Sequence, residues 1–299
     1  MATIAGVGFS TGSKDGHAES ISEDLTFISE IGADFAEICV ATIDVVAGGR
    51  VISERLEALA RVAKQYPLQY SVHGLVSSNF MNSATLRRQI DVAKAYVEVC
   101  DRIGARVLVH HSGFVSPQLP LDRADADRRE FDALAELAEF AAKHDVRIAL
   151  ENIFTAESGQ YRKTPTQVAE TVRALNHPNV AALIDFSHAH IESIYRGLDF
   201  MSELRAMAPV TGHLHVHDSF GHLAGATPFF FAQEGSALGL GDLHLPLGWG
   251  DIPWDSIFGE LTFLPGTILN MEIGARFREE QPECLRRARG FVEAVNRRA

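Results

Sequence analysis

Gly104-Ala-Arg-Val-Leu-Val-His110-His111-Ser-Gly113 holds the pattern on which the whole chain is built. A glycine suited to closing a helix is followed by a short apolar, β-branched run, and the run ends in polar side chains that can bind metal. Working outward, the same unit recurs. Candidate strands are Ile4–Phe9, Asp34–Val40, Leu68–His73, Val107–His111, Val146–Glu151, Val180–Asp185, Gly212–His217 and Thr267–Ile273. Amphipathic stretches near 20–31, 53–66, 83–103, 127–144, 165–176, 199–208, 254–260 and 280–297 alternate with them and read as crossover helices. Gly32 matches Gly104 as a helix-closing glycine, and Thr164 before Pro165 reads as an N-cap with proline in the first turn. Eight strand–helix units in 299 residues predict an α/β fold, a single (β/α)8 TIM barrel spanning 1–299. Such barrels need about 250 residues, so the length leaves room for one long loop. That loop falls between Ser219 and Leu247, after the seventh strand, and includes Pro228-Phe-Phe-Phe231.

The bulk properties narrow the function. No GxGxxG follows the first strand, so a Rossmann-type nucleotide site has no support. The three cysteines, Cys39, Cys100 and Cys284, have no CxxC spacing, which argues against a disulfide framework and a thiolate zinc site. A formal net charge of −12 argues against non-specific attraction to nucleic acid. No apolar run approaches the roughly 20 residues of a membrane span. The N-terminus lacks the basic and apolar blocks of a signal peptide, so a cytoplasmic location is expected.

Metal-competent side chains gather at the strand ends. They are Glu37 on strand two, His73 on three, His110 and His111 on four, and Glu151 on five. Strand six ends in Asp185 with His188 and His190 just beyond, strand seven reads His213-Leu-His215-Val-His217-Asp218, and strand eight reaches Glu272. In a parallel barrel the C-terminal strand ends converge on one mouth. Glu151, Asp185 and Glu272 there would repel one another in a partly dry cavity unless a cation neutralised them. Oxygen plus imidazole ligation suits Mn2+, Zn2+, Co2+ or Mg2+. His110 and His111 cannot both face inward, because strand neighbours point to opposite sides. His17, His144 and His177 read as surface residues, and Cys39 as packing.

These residues resemble the xylose isomerase-like TIM-barrel superfamily of sugar (phosphate) isomerases and epimerases, which also contains endonuclease IV. The segment Gly241-Asp242-Leu-His244-Leu-Pro-Leu-Gly248-Trp-Gly250 is similar to the family's Asp-x-His followed by a Gly-x-Gly turn. His215-Val-His217-Asp218, Leu150-Glu151-Asn152 and Asp185-x-x-His188 match strands seven, five and six. The resemblance implies a metal core of Glu151, Asp185, His215 and Glu272, with further ligands at His73, His111, His188, Asp242 and His244. His111 is taken over His110 from the alignment of 104–113 with the family pattern, although Ser112 stands where the family has proline. One to three ions are implied, Mn2+ or Zn2+ first. The implied chemistry is proton transfer alpha to a sugar carbonyl through a metal-stabilised enediolate, with Glu151 and Glu272 as base and acid. His217, Trp249 and Phe230 are expected to touch the sugar.

Three alternatives remain. One is an endonuclease IV-like phosphodiesterase at abasic DNA; full occupancy of its nine ligand positions favours it, but the loop after His73 has no basic residue. Another is a keto-sugar lyase or dehydratase on the same scaffold, and the last is a sugar-binding barrel without turnover. The phenylalanines of the long loop are expected to be covered, as a lid, a subunit contact in a homo-oligomer or a satellite core, since three exposed rings would form a sticky patch.

Overall fold

The computed structural model describes residues 3–120 and 122–298. Its barrel strands are β1 (Ile4–Gly12), β2 (Phe35–Cys39), β3 (Gln69–His73), β4 (Val107–His111), β5 (Arg147–Glu151), β6 (Val180–Asp185), β7 (Thr211–Val216) and β8 (Thr267–Met271). They close in the order β1-β8-β7-β6-β5-β4-β3-β2, every neighbouring pair parallel. All eight strands expected from sequence are present, with ends shifted by up to three residues.

Strand alternation sorts the side chains into two sets. The outward set, including Ile38, Val72, Leu108, Leu150, Ile184, Leu214 and Leu269, is buried beneath the surrounding helices in one continuous core. The inward set is layered. Phe35, Val107, Val109, Ala149, Leu183 and Ile268 form an apolar plug at the bottom of the barrel. Two residues further along, the same strands present Glu37, His111, Glu151, Asp185 and Asn270. The plug therefore dries the floor on which the polar residues stand.

The helices are α1 (Ser22–Glu30), α2 (Ser53–Ala63), α3 (Leu86–Ile103), α4 (Arg123–Ala142), α5 (Pro165–Leu175), α6 (Phe186–Arg196), α7 (Phe200–Met207), α8 (Ala232–Leu238), α9 (Trp254–Glu260) and α10 (Gln281–Arg298). Helix α3 ends at Gly104 with φ +79°, a left-handed conformation that glycine adopts without a Cβ clash. Helix α5 opens on a capping box, Thr164 accepting from Gln167 N–H while the Gln167 side chain accepts from Thr164 N–H.

Two helices depart from the expectation. Helix α6 begins directly at Asp185, whose side chain caps it, and its first eight residues are all buried. Helix α8 lies inside the long loop, which is further tied down by bridges pairing Asp218 with Leu245 and His222 with Leu240. Within this chain the phenylalanines are covered only in part. Phe229 turns toward Gly235 of α8, but Phe230 is 83% exposed and Phe231 69% exposed. Gly235 packs closely against Leu240 and Leu243, so α8 seats through its small residue and leaves those two rings outside.

Candidate metal centre

Seven of the nine residues expected as ligands, His73, His111, Glu151, His188, Asp242, His244 and Glu272, line one cavity of about 220 Å³ at the C-terminal mouth. Asp185 and His215 lie directly beneath, both fully buried. Among the described residues, no lysine or arginine lines the cavity. A larger groove of about 850 Å³ runs outside the barrel between α9 and α10, with no histidine in its wall.

The spacing within the cluster distinguishes ligands from hydrogen-bond partners. Donors 2.0–2.2 Å from a tetrahedral ion stand about 3.4 Å from one another. His215 Nδ1 is 3.5 Å from Glu151 Oε1, 3.5 Å from Glu272 Oε2 and 3.9 Å from Asp185 Oδ2. His111 Nε2 is 3.3 Å from both His73 Nε2 and Glu151 Oε2. Glu151 Oε2 and His215 Nδ1 are buried without hydrogen-bond partners. Leaving such atoms unpaired costs about 1–3 kcal/mol each, more for a charged group. A divalent cation satisfies both sets, so the residues present fit the implied metal.

Neighbouring groups orient the rings. His73 Nδ1 faces the Gly74 carbonyl at 3.1 Å, so Nδ1–H donates and Nε2 turns to the cavity. His244 Nδ1 likewise donates to the Glu272 carbonyl at 2.7 Å, leaving Nε2 3.0 Å from Asp242 Oδ2. His244 holds φ +48°, in the left-handed region that few residues other than glycine adopt. His188 Nδ1 donates to the Asn152 carbonyl at 3.1 Å and presents Nε2 to Asp242 Oδ2 at 3.2 Å. A third group, His188, Asp242 and His244, thus centres on one carboxylate oxygen.

Asp185 joins strand, helix and site. Its Oδ1 accepts the His188 N–H that opens α6, and its Oδ2 faces His217 Nε2 at 3.2 Å. Asn152 holds it in register with Glu151. The Asn152 side-chain amide donates to the Asp185 carbonyl and accepts the Asp185 N–H, both at 3.0 Å, as a strand backbone would.

Burial opposes charge on every group here, and opposite charges overcome it at most of them. Against burial, His111 and His215 hold the Glu151 carboxyl well below its ordinary range, and His244, His188 and His217 do the same for Asp242. Cys39 and Glu151 raise His73, Asp185 and Asp242 raise His188, and Glu272, Glu37 and Glu151 raise His215, each well above the ordinary imidazole value. His244 is raised to about 10 by Asp242 against burial. At His111 burial prevails over the pull of Glu151 and the value falls. Protonated imidazoles supply the counter-charge that a metal ion supplies on displacing their protons.

The expected substrate contacts lie elsewhere. His217 is fully buried against Asp185 and stacks on His244 at 4.1 Å. Trp249 packs edge-on against Phe277 and is half exposed, and Phe230 stands in solvent; none of the three lines the cavity. Of the two strand-four histidines, His111 faces the cavity, while His110 points outward to Ser78 and Phe80, its imidazole pushed down to about 3 by burial. His17 and His144 lie at the surface, bonded to Arg55 and Asp101. His177 is beside the exposed Glu139. Cys39 does more than pack, because it forms part of the cavity wall.

Two carboxylates around the site were given no role from sequence. Glu37, noted at its strand end, accepts hydrogen bonds from His213 and His215 across the barrel. The signal was available in the spacing, since Phe35 facing the plug requires Glu37 to face inward too. Asp218 binds no cavity group. Its carboxylate accepts from Gly248 N–H at 2.7 Å, Ser219 N–H at 3.1 Å, Trp254 Nε1–H at 3.2 Å and Ile252 N–H at 3.4 Å, pinning the Gly-Trp-Gly turn.

A family model described as xylose isomerase-like TIM barrel matches residues 25–292. An uncharacterized protein of Methanocaldococcus jannaschii is 22% identical over 247 residues, 81% of this chain and 75% of that protein. Among solved structures, a D-tagatose 3-epimerase-like protein superposes with TM-score 0.69 at 18% identity, covering 98% of this chain and 99% of its own. The IolI protein with a bound zinc atom superposes with TM-score 0.66 at 19% identity, covering 98% of both chains.

Proposed function

Because the chain belongs to the xylose isomerase-like TIM-barrel family, we propose that it is a divalent-metal-dependent isomerase or epimerase acting on a sugar or sugar derivative. The observation that carries this reading is the pair Glu151 and Glu272, each 3.5 Å from His215 Nδ1 and both in the wall of one small cavity. The epimerase-like and zinc-bound structural neighbours support it. At about 220 Å³ the cavity is smaller than the roughly 300–1,000 Å³ of drug-sized ligand pockets, which suits a small polar molecule.

Glu151, Asp185, His215 and Glu272 would hold the first ion, and His73, His111, His188, Asp242 and His244 would hold others. A bound cation supplies polarisation of the substrate's carbonyl and hydroxyl oxygens. The remaining work falls to the chain. One of Glu151 and Glu272 takes the proton alpha to the carbonyl and the other returns one, to the other face or the neighbouring carbon. Ser10 Oγ–H donates to Glu272 Oε1 at 3.3 Å and steadies that side chain. The apolar plug keeps water from entering beneath.

The decisive experiment loads purified protein with Zn2+, Mn2+ or Co2+ and follows solvent deuterium entering ketoses and aldoses by NMR. Exchange into a sugar C–H is expected, and Glu151→Gln or Glu272→Gln should abolish it. No exchange at full metal loading, with cleavage of an abasic-site duplex instead, would transfer the assignment to a phosphodiesterase. The complete His188–Asp242–His244 group favours that second reading, while the absence of lysine and arginine from the cavity wall and the net charge of −12 weigh against it.

A further inference from the structure

We propose that Glu37 is a positioning residue that fixes the tautomer of His215 and so sets the affinity of the metal core; the proposal rests on the reading of His215 as a ligand. Glu37 is fully buried and forms part of the wall of the same cavity. Four donors converge on its carboxylate. Ser71 Oγ and His213 Nε2 each approach Oε2 at 2.8 Å, while His215 Nε2 approaches Oε1 at 2.9 Å and Asn270 Nδ2 at 3.2 Å.

Glu37, His213 and His215 are themselves near enough to suggest an ion between them. The distances decide otherwise. Contacts of 2.8 and 2.9 Å are too short for two ligands sharing a tetrahedral ion, which stand about 3.4 Å apart, and suit N–H donating to a carboxylate. The same His215 ring meets three other carboxylates through Nδ1 at 3.5–3.9 Å, the ligand spacing, and Nδ1 has no hydrogen-bond partner. The ring thus has one nitrogen in each role.

A neutral imidazole carries one proton. By accepting it from Nε2, Glu37 leaves the Nδ1 lone pair aimed at Glu151, Glu272 and Asp185. Without Glu37, the proton gains by moving to Nδ1, beside those three carboxylates, where it blocks the nitrogen a metal needs. A carboxylate behind a metal-bound imidazole also strengthens its basicity, and losing such a partner costs roughly 10- to 100-fold in metal affinity. His213 and Ser71 hold Oε2, which keeps Oε1 turned to His215.

The test uses the full chain stripped of metal, with Glu37→Gln and Glu37→Ala beside the parent. Folding is checked by circular dichroism, and Zn2+ affinity is measured at one pH by competition with a chelator. Both variants should bind Zn2+ roughly 10- to 100-fold more weakly. In 15N-histidine NMR of the metal-free parent, at a pH high enough for the ring to be neutral, the His215 signal, assigned by its loss in His215→Asn, should carry its proton on Nε2; Glu37→Ala should lose that preference. Should Ala fail to fold, the near-isosteric Gln variant decides on affinity alone. A folded variant whose Zn2+ affinity stays within threefold of the parent overturns the proposal. A parent that binds no Zn2+ overturns both this proposal and the metal-enzyme reading, so the two failures are distinguishable.

Discussion

Asp218→Asn isolates a carboxylate that looks like part of the metal motif and is wired as a structural anchor. Its two oxygens accept four N–H groups, Gly248 and Trp254 Nε1 on Oδ2, Ser219 and Ile252 on Oδ1. An amide has one oxygen and one NH2, so either orientation sets an N–H donor against two of those N–H groups. Each buried donor left without an acceptor costs about 1–3 kcal/mol, giving about 4 kcal/mol for two. At about 2.1 cal/mol/K per residue, 299 residues carry an unfolding entropy of about 0.6 kcal/mol/K, so the melting temperature should fall by about 6 °C. Differential scanning calorimetry of the metal-loaded protein reads this directly. Asp251→Asn on the same turn is the control: that side chain is 58% exposed and should move the midpoint by about 1 °C or less. Zn2+ content should be unchanged in both. A shift under 2 °C for Asp218→Asn, or loss of Zn2+ at an unchanged midpoint, would show that the anchoring argument is wrong and that Asp218 serves the metal.

Asp185→Ala should release the tightly held ion and also lower thermal stability, because it removes the α6 cap; metal content by mass spectrometry that matches the parent contradicts the site. For metal-free protein, the raised imidazoles of His73, His188, His215 and His244 contribute stability that is complete below the unfolded value of about 6.5. That stability is lost as pH rises through the folded values, about 10 for His244, so melts in EDTA should fall from neutral pH toward pH 10 while Zn2+ affinity rises. A flat melting profile over that range refutes it. Replacing Phe229, Phe230 and Phe231 together by serine should change stability little, since two of the rings already stand in water. Loss of sugar turnover or affinity with metal retained then marks the loop as a lid, and unchanged kinetics excludes that role.

The barrel was legible because a buried parallel strand leaves a short apolar run and its mouth leaves polar residues in fixed phase with it. Val107–His111 and Val180–Asp185 match residue for residue. Helix α6 was not legible: it starts on the last strand residue and is buried on every side of its first two turns, so no amphipathic period announces it. The alternation rule allowed only one of His110 and His111 to face inward, and the family alignment pointed to His111, which lines the cavity; neither could assign Glu37, whose partner His213 lies 176 residues away. Asp218 went unassigned for a similar reason, because a motif gives residue type and spacing but not which atoms a carboxylate meets. The phenylalanines show the limit of arguing from composition: an apolar run should be covered, and nothing in the sequence says by what.

Asn152 has a consequence for how this barrel can change. Its amide completes one extra rung of sheet between Glu151 and Asp185 after the β5 backbone has already departed. The spacing of those two carboxylates is therefore set by a side chain rather than by the connection that follows. Replacements at the exposed residues 156–159 of that connection should therefore leave the two carboxylates in step. One small amide keeps two carboxylates in step where the backbone alone does not.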